Sequence, residues 1–325
     1  MNTRILFLLG AVAALSLAAA VALASPATPS TPFWQALPAP DGLPVRVMAV
    51  SPAFAADRTL FAGTAGGMYR SDDGAQHWTA LDPGAANALK IVPSPAYAAD
   101  QTLFVLIDTA GPPGRRVLRS RDDGASWQTV WEGLAAYDLV VSPNFAADST
   151  LFLAGAPSGQ PQVYRSTTAG ATWLPTPGQP ADLDVFLLAI SPDFAHDQTL
   201  FVAGYGPVQR TSDGGATWQR LSAAGPNYSL AISANYASDR TVWAMYREIE
   251  GSAMQPEAGI VRSSDGGATW RNVTAGLDGN YNQPYRSLAS DPAGEAIYLA
   301  LDGPQWDPRF PPRVFRSDNG GQRWA

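Results

Sequence analysis

Cysteine is absent from this chain, and histidine occurs only at His77 and His196. The first absence excludes disulfides, thiolate-held zinc and thiol catalysis, and two histidines argue against a histidine-built metal site. Neither a metal nor a cofactor is therefore expected. A basic field is missing too: the formal net charge is −7 and the sequence pI about 4.8. Nothing gathers phosphates, which argues against nucleic acid or an anionic membrane surface as partner. Long apolar runs are scarce. The one present is Ile5–Ala24, behind the short positive start Met1–Arg4 and ending in the small-x-small pattern Ala22-Leu23-Ala24. Residues 1–24 read as a signal peptide cleaved before Ser25, the alternative being an uncleaved anchor. Residues 25–32 (SPATPSTP) form a stiff Pro-rich spacer, and residues 33–325 form one domain. The protein is expected to be exported, with no membrane insertion after cleavage.

What the chain does have is punctuation: 30 Gly, 28 Pro and 10% aromatics, a composition suited to short strands and tight turns. An element of the form Ser-x-Asp-x-Gly-x-Thr-Trp recurs six times. It ends at Trp78, Trp127, Trp173, Trp218, Trp270 and Trp324, between 45 and 54 residues apart. A second element, Ser-Pro-x-aromatic-Ala-x-Asp-x-Thr-Leu-Phe, begins at Ser51, Ser94, Ser142 and Ser191. It recurs as SANYASDRTVW from Ser233 and in degenerate form from Ser290. Two motifs in phase, on a period that holds four short strands, are the mark of propeller blades.

Blade one reads as strands over Val45–Val50, Thr59–Gly63, Gly67–Ser71 and His77–Leu81, here lettered A to D. The two motifs then fall on the A–B and C–D turns, at one end of every blade. Carboxylates such as Asp73, Asp122, Asp213 and Asp265 can accept N–H bonds inside their own turns. The glycines that follow allow positive φ, and each Trp has a ring to bury between blades. The third box carries Thr168 in place of Asp, so its turn is expected to keep its shape with some loss of stability.

This pattern resembles the Asp-box (BNR) repeat superfamily over nearly all of residues 33–325. The resemblance implies an all-β fold, a β-propeller of about six four-stranded blades, with seven as the alternative. That superfamily holds sialidases, xyloglucanase-type glycosidases, sortilin-type receptor domains and photosystem II assembly factors, so it specifies fold and hardly function. Phe33-Trp34-Gln35-Ala36-Leu37 matches the residues around each box Trp. It is expected to supply the outer strand of blade six and close the ring, although Trp34 and Trp324 then claim one position.

Residues shared by every blade support every blade alike, so the Arg before each box and the Asp on each A–B turn read as structural. Function is expected where the repeats differ, in the B–C and D–A loops of the opposite face. The longest insertions are Asp108–Arg116, Arg247–Gly259, Thr274–Arg286 and Asp302–Arg313. They assemble candidate ligand-binding residues on blades five and six: Arg247, Glu248, Glu250, Tyr281, Tyr285, Trp306, Asp307 and Arg309. Aromatic platforms beside carboxylates suit a protein or glycan ligand, and an alternative is that they merely cover the channel. No catalytic residue is assigned. A non-enzymatic binding or scaffold module is the expected function, with a sialidase-like glycoside hydrolase as the alternative. The hydrolase needs two facing carboxyls, and the Phe/Tyr-Arg-Ile-Pro motif that the resemblance to sialidases implies is absent. The basic patch implied by photosystem assembly factors is reduced here to Arg115-Arg116 and Arg309/Arg313.

Overall fold

The computed structural model describes residues 37–84, 87–109, 111, 114–178, 184–221, 227–247, 258–275, 277, 285–291, 296–301 and 313–325. Residues 184, 185, 228, 247, 258, 285, 286 and 301 are described by backbone alone. The proposed leader, the spacer and Phe33–Ala36 lie outside the described residues.

Each A–B turn is built by its own side chains. Ser51 Oγ accepts the Ala53 N–H and donates to Asp57 Oδ2 at 2.5 Å, while Asp57 Oδ1 accepts the Thr59 N–H at 2.9 Å. Between them Phe54–Asp57 closes one helical turn, α1, and Arg58 leaves it in the left-handed region at φ 52°. The same turn recurs as α2 (Tyr97–Asp100), α3 (Phe145–Asp148), α4 (Phe194–Asp197) and α5 (Tyr236–Asp239). All five are satisfied locally, which is why a ten-residue motif marks them without knowledge of the rest of the fold.

Six antiparallel blades follow in a ring. Blade one is β1 (Val47–Val50), β2 (Leu60–Gly63), β3 (Met68–Ser71) and β4 (Thr79–Leu81). Blade two is β5 (Asn87–Pro93), β6 (Leu103–Asp108), β7 (Arg115–Ser120) and β8 (Gln128–Gly133). Blade three is β9 (Ala135–Val141), β10 (Leu151–Ala156), β11 (Gln162–Ser166) and β12 (Leu174–Pro175). Blade four has β13 (Asp184–Ile190), β14 (Leu200–Thr211) and β15 (Gln219–Arg220). Its β14 pairs with β13 through Leu200–Tyr205 and with β15 through Gln209–Arg210, so it supplies both middle strands. Blade five is β16 (Asn227–Ile232), β17 (Val242–Arg247), β18 (Ala258–Ser263) and β19 (Arg271–Asn272). Blade six is β20 (Tyr285–Ser290), β21 (Ile297–Leu301) and β22 (Arg313–Ser317), with Ala325 pairing Arg316 as its first outer residue.

The strands expected for blade one lie where the sequence placed them, one or two residues shorter. His77 stays in the turn because its N–H is bonded to Asp73 Oδ1 at 3.0 Å, so β4 starts after Trp78.

The innermost strands β1, β5, β9, β13, β16 and β20 stand side by side. Apolar cores lie between blades, not within one. Phe61 meets Tyr97 of the next blade edge-on at 5.4 Å, and Phe104–Phe145, Phe152–Phe194 and Phe201–Tyr236 repeat the contact at 5.5, 5.5 and 5.7 Å. Each blade therefore hides its apolar face only against a neighbour.

At the remaining seam, Trp78 Nε1 donates to Pro38 O at 3.0 Å. Trp173 and Trp324 make the same bond, at 2.8 Å each, to Val130 and Val273 on the outer edge of the preceding blade. Leu37-Pro38 thus occupies, against blade one, the place of a preceding outer strand. Trp324 fills the sixth box position and is buried, at 6% exposure.

Candidate ligand-binding face

At the end of the ring that carries the two motifs, the turn carboxylates are bonded within their own turns. In the box turns, Asp122 Oδ1 accepts from Ser120 Oγ and the Ser126 N–H, and Oδ2 from Ser126 Oγ. Asp213 and Asp265 repeat the set with Thr211 and Thr217, and with Ser263 and Thr269. Hydroxyl donation by Thr211 and Thr217 holds the Asp213 carboxyl down at about 2, and Thr269 does the same for Asp265. Asp122 is lowered chiefly by Ser126, and Asp73 chiefly by the His77 N–H. In the third box Thr168 Oγ1 accepts the Thr172 N–H at 2.9 Å and meets Thr172 Oγ1 at 2.8 Å, so a hydroxyl replaces the carboxylate and the turn keeps its shape.

The box arginines tie blade to blade. Arg119, Arg165 and Arg210 donate to the carbonyls of Ala169, Gly214 and Gly266 in the next box, at 2.7, 3.0 and 2.7 Å. Arg70 reaches the Asp123 side chain instead, at 2.6 Å. Between blades five and six the carbonyl of Gly320 takes the Trp243 indole N–H at 3.3 Å, and Arg262 lies over that indole. Trp243 stands where the earlier blades have Phe61, Phe104, Phe152 and Phe201, and with Arg262, Asp239 and Asp318 it lines a cleft of about 170 Å³. The box Trp rings lie at the seams: Trp127, Trp173, Trp218 and Trp270 are partly buried there and Trp324 fully.

The opposite end is where the blades differ. Of the eight candidates, Arg247 ends β17 opposite Ala258 and Tyr285 opens β20 opposite Leu301, which puts both at this end. Glu248, Glu250, Tyr281, Trp306, Asp307 and Arg309 lie outside the described residues.

Blades two to six share a feature that the motif reading passed over. In the innermost strands the register slips by one residue at the same place, so that Leu89, Tyr137, Phe186, Tyr228 and Arg286 are each left without a partner across the ladder. In blade one the Arg46 N–H shares Gly63 with Val47 in the same way. Bulges turn a side chain out of the pleat, and here they ring one mouth of the channel. Phe186 meets Tyr137 edge-on at 4.7 Å and Tyr205 at 5.1 Å. Arg115 lies over the Tyr137 ring at 5.6 Å and donates to Ala136 O at 2.5 Å. Tyr205 is 54% exposed, and Leu89 and Leu134 are exposed beside the row. Beneath it Lys90, the only lysine, is paired with Asp138, whose Oδ2 accepts the Leu188 N–H of the next blade. The sequence signal was an aromatic residue five places before the Ser of the A–B motif, at Tyr137 and Phe186, where an alternating strand has no reason for one.

No protein-family model and no curated protein matches the chain. Solved structures do. It is similar to a GH74 enzyme of Niastella koreensis at TM-score 0.66 and 20% identity, over 86% of this chain and 44% of that one. A GH74 xyloglucanase from Xanthomonas campestris matches at TM-score 0.66 and 19% identity, over 86% and 45%. YCF48 from Cyanidioschyzon merolae matches at TM-score 0.54 and 13% identity, over 86% and 83%. The fold is a β-propeller. That agrees with the superfamily the repeat resembles, and at such identities the likeness speaks for fold alone. The propeller spans less than half the length of the GH74 chains it matches. Among the described residues no helix is long and apolar enough to cross a membrane, and no cluster of His, Asp and Glu has metal-site geometry.

Proposed function

We propose that this propeller is an exported binding or scaffold module for a protein or glycan ligand, engaged through the B–C and D–A face. The observation that carries this reading is the contrast between its two ends. At one end the box carboxylates are held in bonds within their turns, Arg70, Arg119, Arg165 and Arg210 reach the next box, and the box indoles lie in the seams. The other leaves Tyr205, Leu89 and Leu134 open to solvent around a channel mouth, a composition suited to recognition. Export rests on the apolar segment Ile5–Ala24 and the pattern that follows it.

A glycoside hydrolase is the second reading, favoured by the fold likeness to GH74 enzymes. It needs two opposed carboxyls. Asp138, the buried carboxylate nearest the mouth, is tied to Lys90 and to the Leu139 and Leu188 N–H groups, so it serves structure. A glycan array and a panel of fluorogenic glycosides, run on one preparation, test both readings. Retention without turnover is the expected result. Turnover abolished by a Glu248→Gln or Glu250→Gln change would move the assignment to the hydrolase.

A further inference from the structure

We infer that Asn319-Gly320, in the sixth box, is a self-modifying site, where the asparagine loses its amide through a cyclic imide and leaves a carboxylate in the turn. The site is independent of whatever the opposite face binds.

The dipeptide supplies the chemistry. Asn319 holds the position of Asp73, Asp122, Asp213 and Asp265, and it is the one asparagine of the chain that glycine follows. A main-chain nitrogen can attack the side-chain amide of the residue before it, and glycine, with no Cβ, lets that nitrogen approach. The Gly320 nitrogen forms a bond to Asn319 Cγ, the Cγ–Nδ2 bond breaks, and ammonia departs with the Gly320 N–H proton. Water then opens the imide at one of its two carbonyl carbons. Attack at Cγ restores the main chain beside an aspartate, and attack at the main-chain carbon leaves the chain running through Cγ as isoaspartate. Amide and water have become acid and ammonia, with no change of oxidation state.

The turn activates the electrophile. Asn319 Oδ1 accepts from Ser317 Oγ and from the Arg323 N–H, both at 2.9 Å. Negative charge gathers on Oδ1 as Cγ is attacked, and these two donors are already aimed at it. Asp213 and Asp265 sit in the same cradle but are held ionised, at about 2, and a carboxylate is a poor electrophile. The cradle that leaves an aspartate inert makes an asparagine reactive.

The nucleophile is released as well. In the other boxes the corresponding N–H is committed. Gly74, Asp123, Ala169, Gly214 and Gly266 donate to the carbonyls of Arg58, Gln101, Ser149, Gln198 and Arg240, the left-handed residues that end α1 to α5. The A–B link of blade six is shorter, residues 291–296 against 233–241 in blade five. Among the described residues the Gly320 N–H has no backbone acceptor. Arg262 lies against Gly320, where a Cβ would come within 2.8 Å of the guanidinium carbon, and its positive charge favours the deprotonated amide. Asn319 is exposed and lines the cleft with Gly320, so water reaches the imide.

The two products act oppositely on the seam between blades five and six. An aspartate keeps both Oδ1 bonds and gains the charge that four other boxes carry, in the cleft that Arg262 also lines. An isoaspartate adds a methylene to the main chain between Ser317 and Trp324, whose indole closes that seam on Val273.

The full chain is incubated folded and, in parallel, unfolded in urea, in heavy-oxygen water at mildly alkaline pH. Peptide mapping by mass spectrometry follows every asparagine, and an isoaspartyl methyltransferase titrates the isoaspartate. In the folded chain Asn319 is expected to take up heavy oxygen about tenfold or more faster than any other asparagine, and no slower than in urea. Asn319→Thr copies the hydroxyl turn of Thr168 and should abolish the conversion in a folded chain. Asn319→Asp should melt above the parent. An Asn319 that stays intact in the folded chain, or converts there more slowly than in urea, overturns the site. Asn319→Asp melting at or below the parent overturns the stabilising product while the modification stands.

Discussion

At the scale of single residues, the box carboxylates explain how so short a motif builds a turn unaided. Each makes three or four hydrogen bonds with groups within four residues and is held below the ordinary carboxylate range, Asp213 and Asp265 at about 2. A depressed folded value means that their stabilisation is fully present above the unfolded carboxylate pKa and lost as pH falls through the folded one. Melting temperature should therefore hold between pH 7 and 5, fall below about pH 4 and drop most steeply towards pH 2, by differential scanning fluorimetry. Asp213→Asn should flatten that fall. Thr168, whose hydroxyl makes the box bonds without charge, invites the reverse change. Thr168→Asp should stabilise by up to about 1 kcal/mol in urea unfolding. Gln209 is the opposite case, fully buried with neither amide atom hydrogen-bonded among the described residues. Gln209→Met keeps its length without polar atoms and should raise stability by about 1–2 kcal/mol.

At the scale of elements, the box turn is also a packing device. The second box glycine lies directly against the preceding blade: a Cβ on Gly267 would come within 2.3 Å of Leu221, and one on Gly215 within 2.7 Å of Thr176. Gly267 also has φ 92°. Gly267→Ala therefore combines left-handed strain with overpacking and should cost about 2–3 kcal/mol in chemical denaturation. Blade one already has Ala75 at the equivalent place, with φ 70°. The turn chemistry was legible because each turn satisfies itself. The bulges were not legible, since a register slip is settled by how two strands meet and leaves no local hydrogen-bonding signature in either.

At the scale of the whole molecule, stability resides in seams. Trp324 closes the fifth seam with a buried ring and a bond to Val273, while Trp78 is only partly buried against Pro38. Trp324→Ala should cost about 3–5 kcal/mol and Trp78→Ala distinctly less, a difference measurable by equilibrium unfolding. The sequence by itself determined the blade period, the two turn types and the end of the ring on which each falls. All of these follow from hydrogen bonds closed within about ten residues or from repetition itself. It pointed to blades five and six by loop length. Only the tertiary structure brought Tyr137, Phe186 and Tyr205 together, from two blades and three strands. Their meeting depends on bulges repeated around a ring and on the angle between neighbouring sheets, quantities that exist only once the blades are packed.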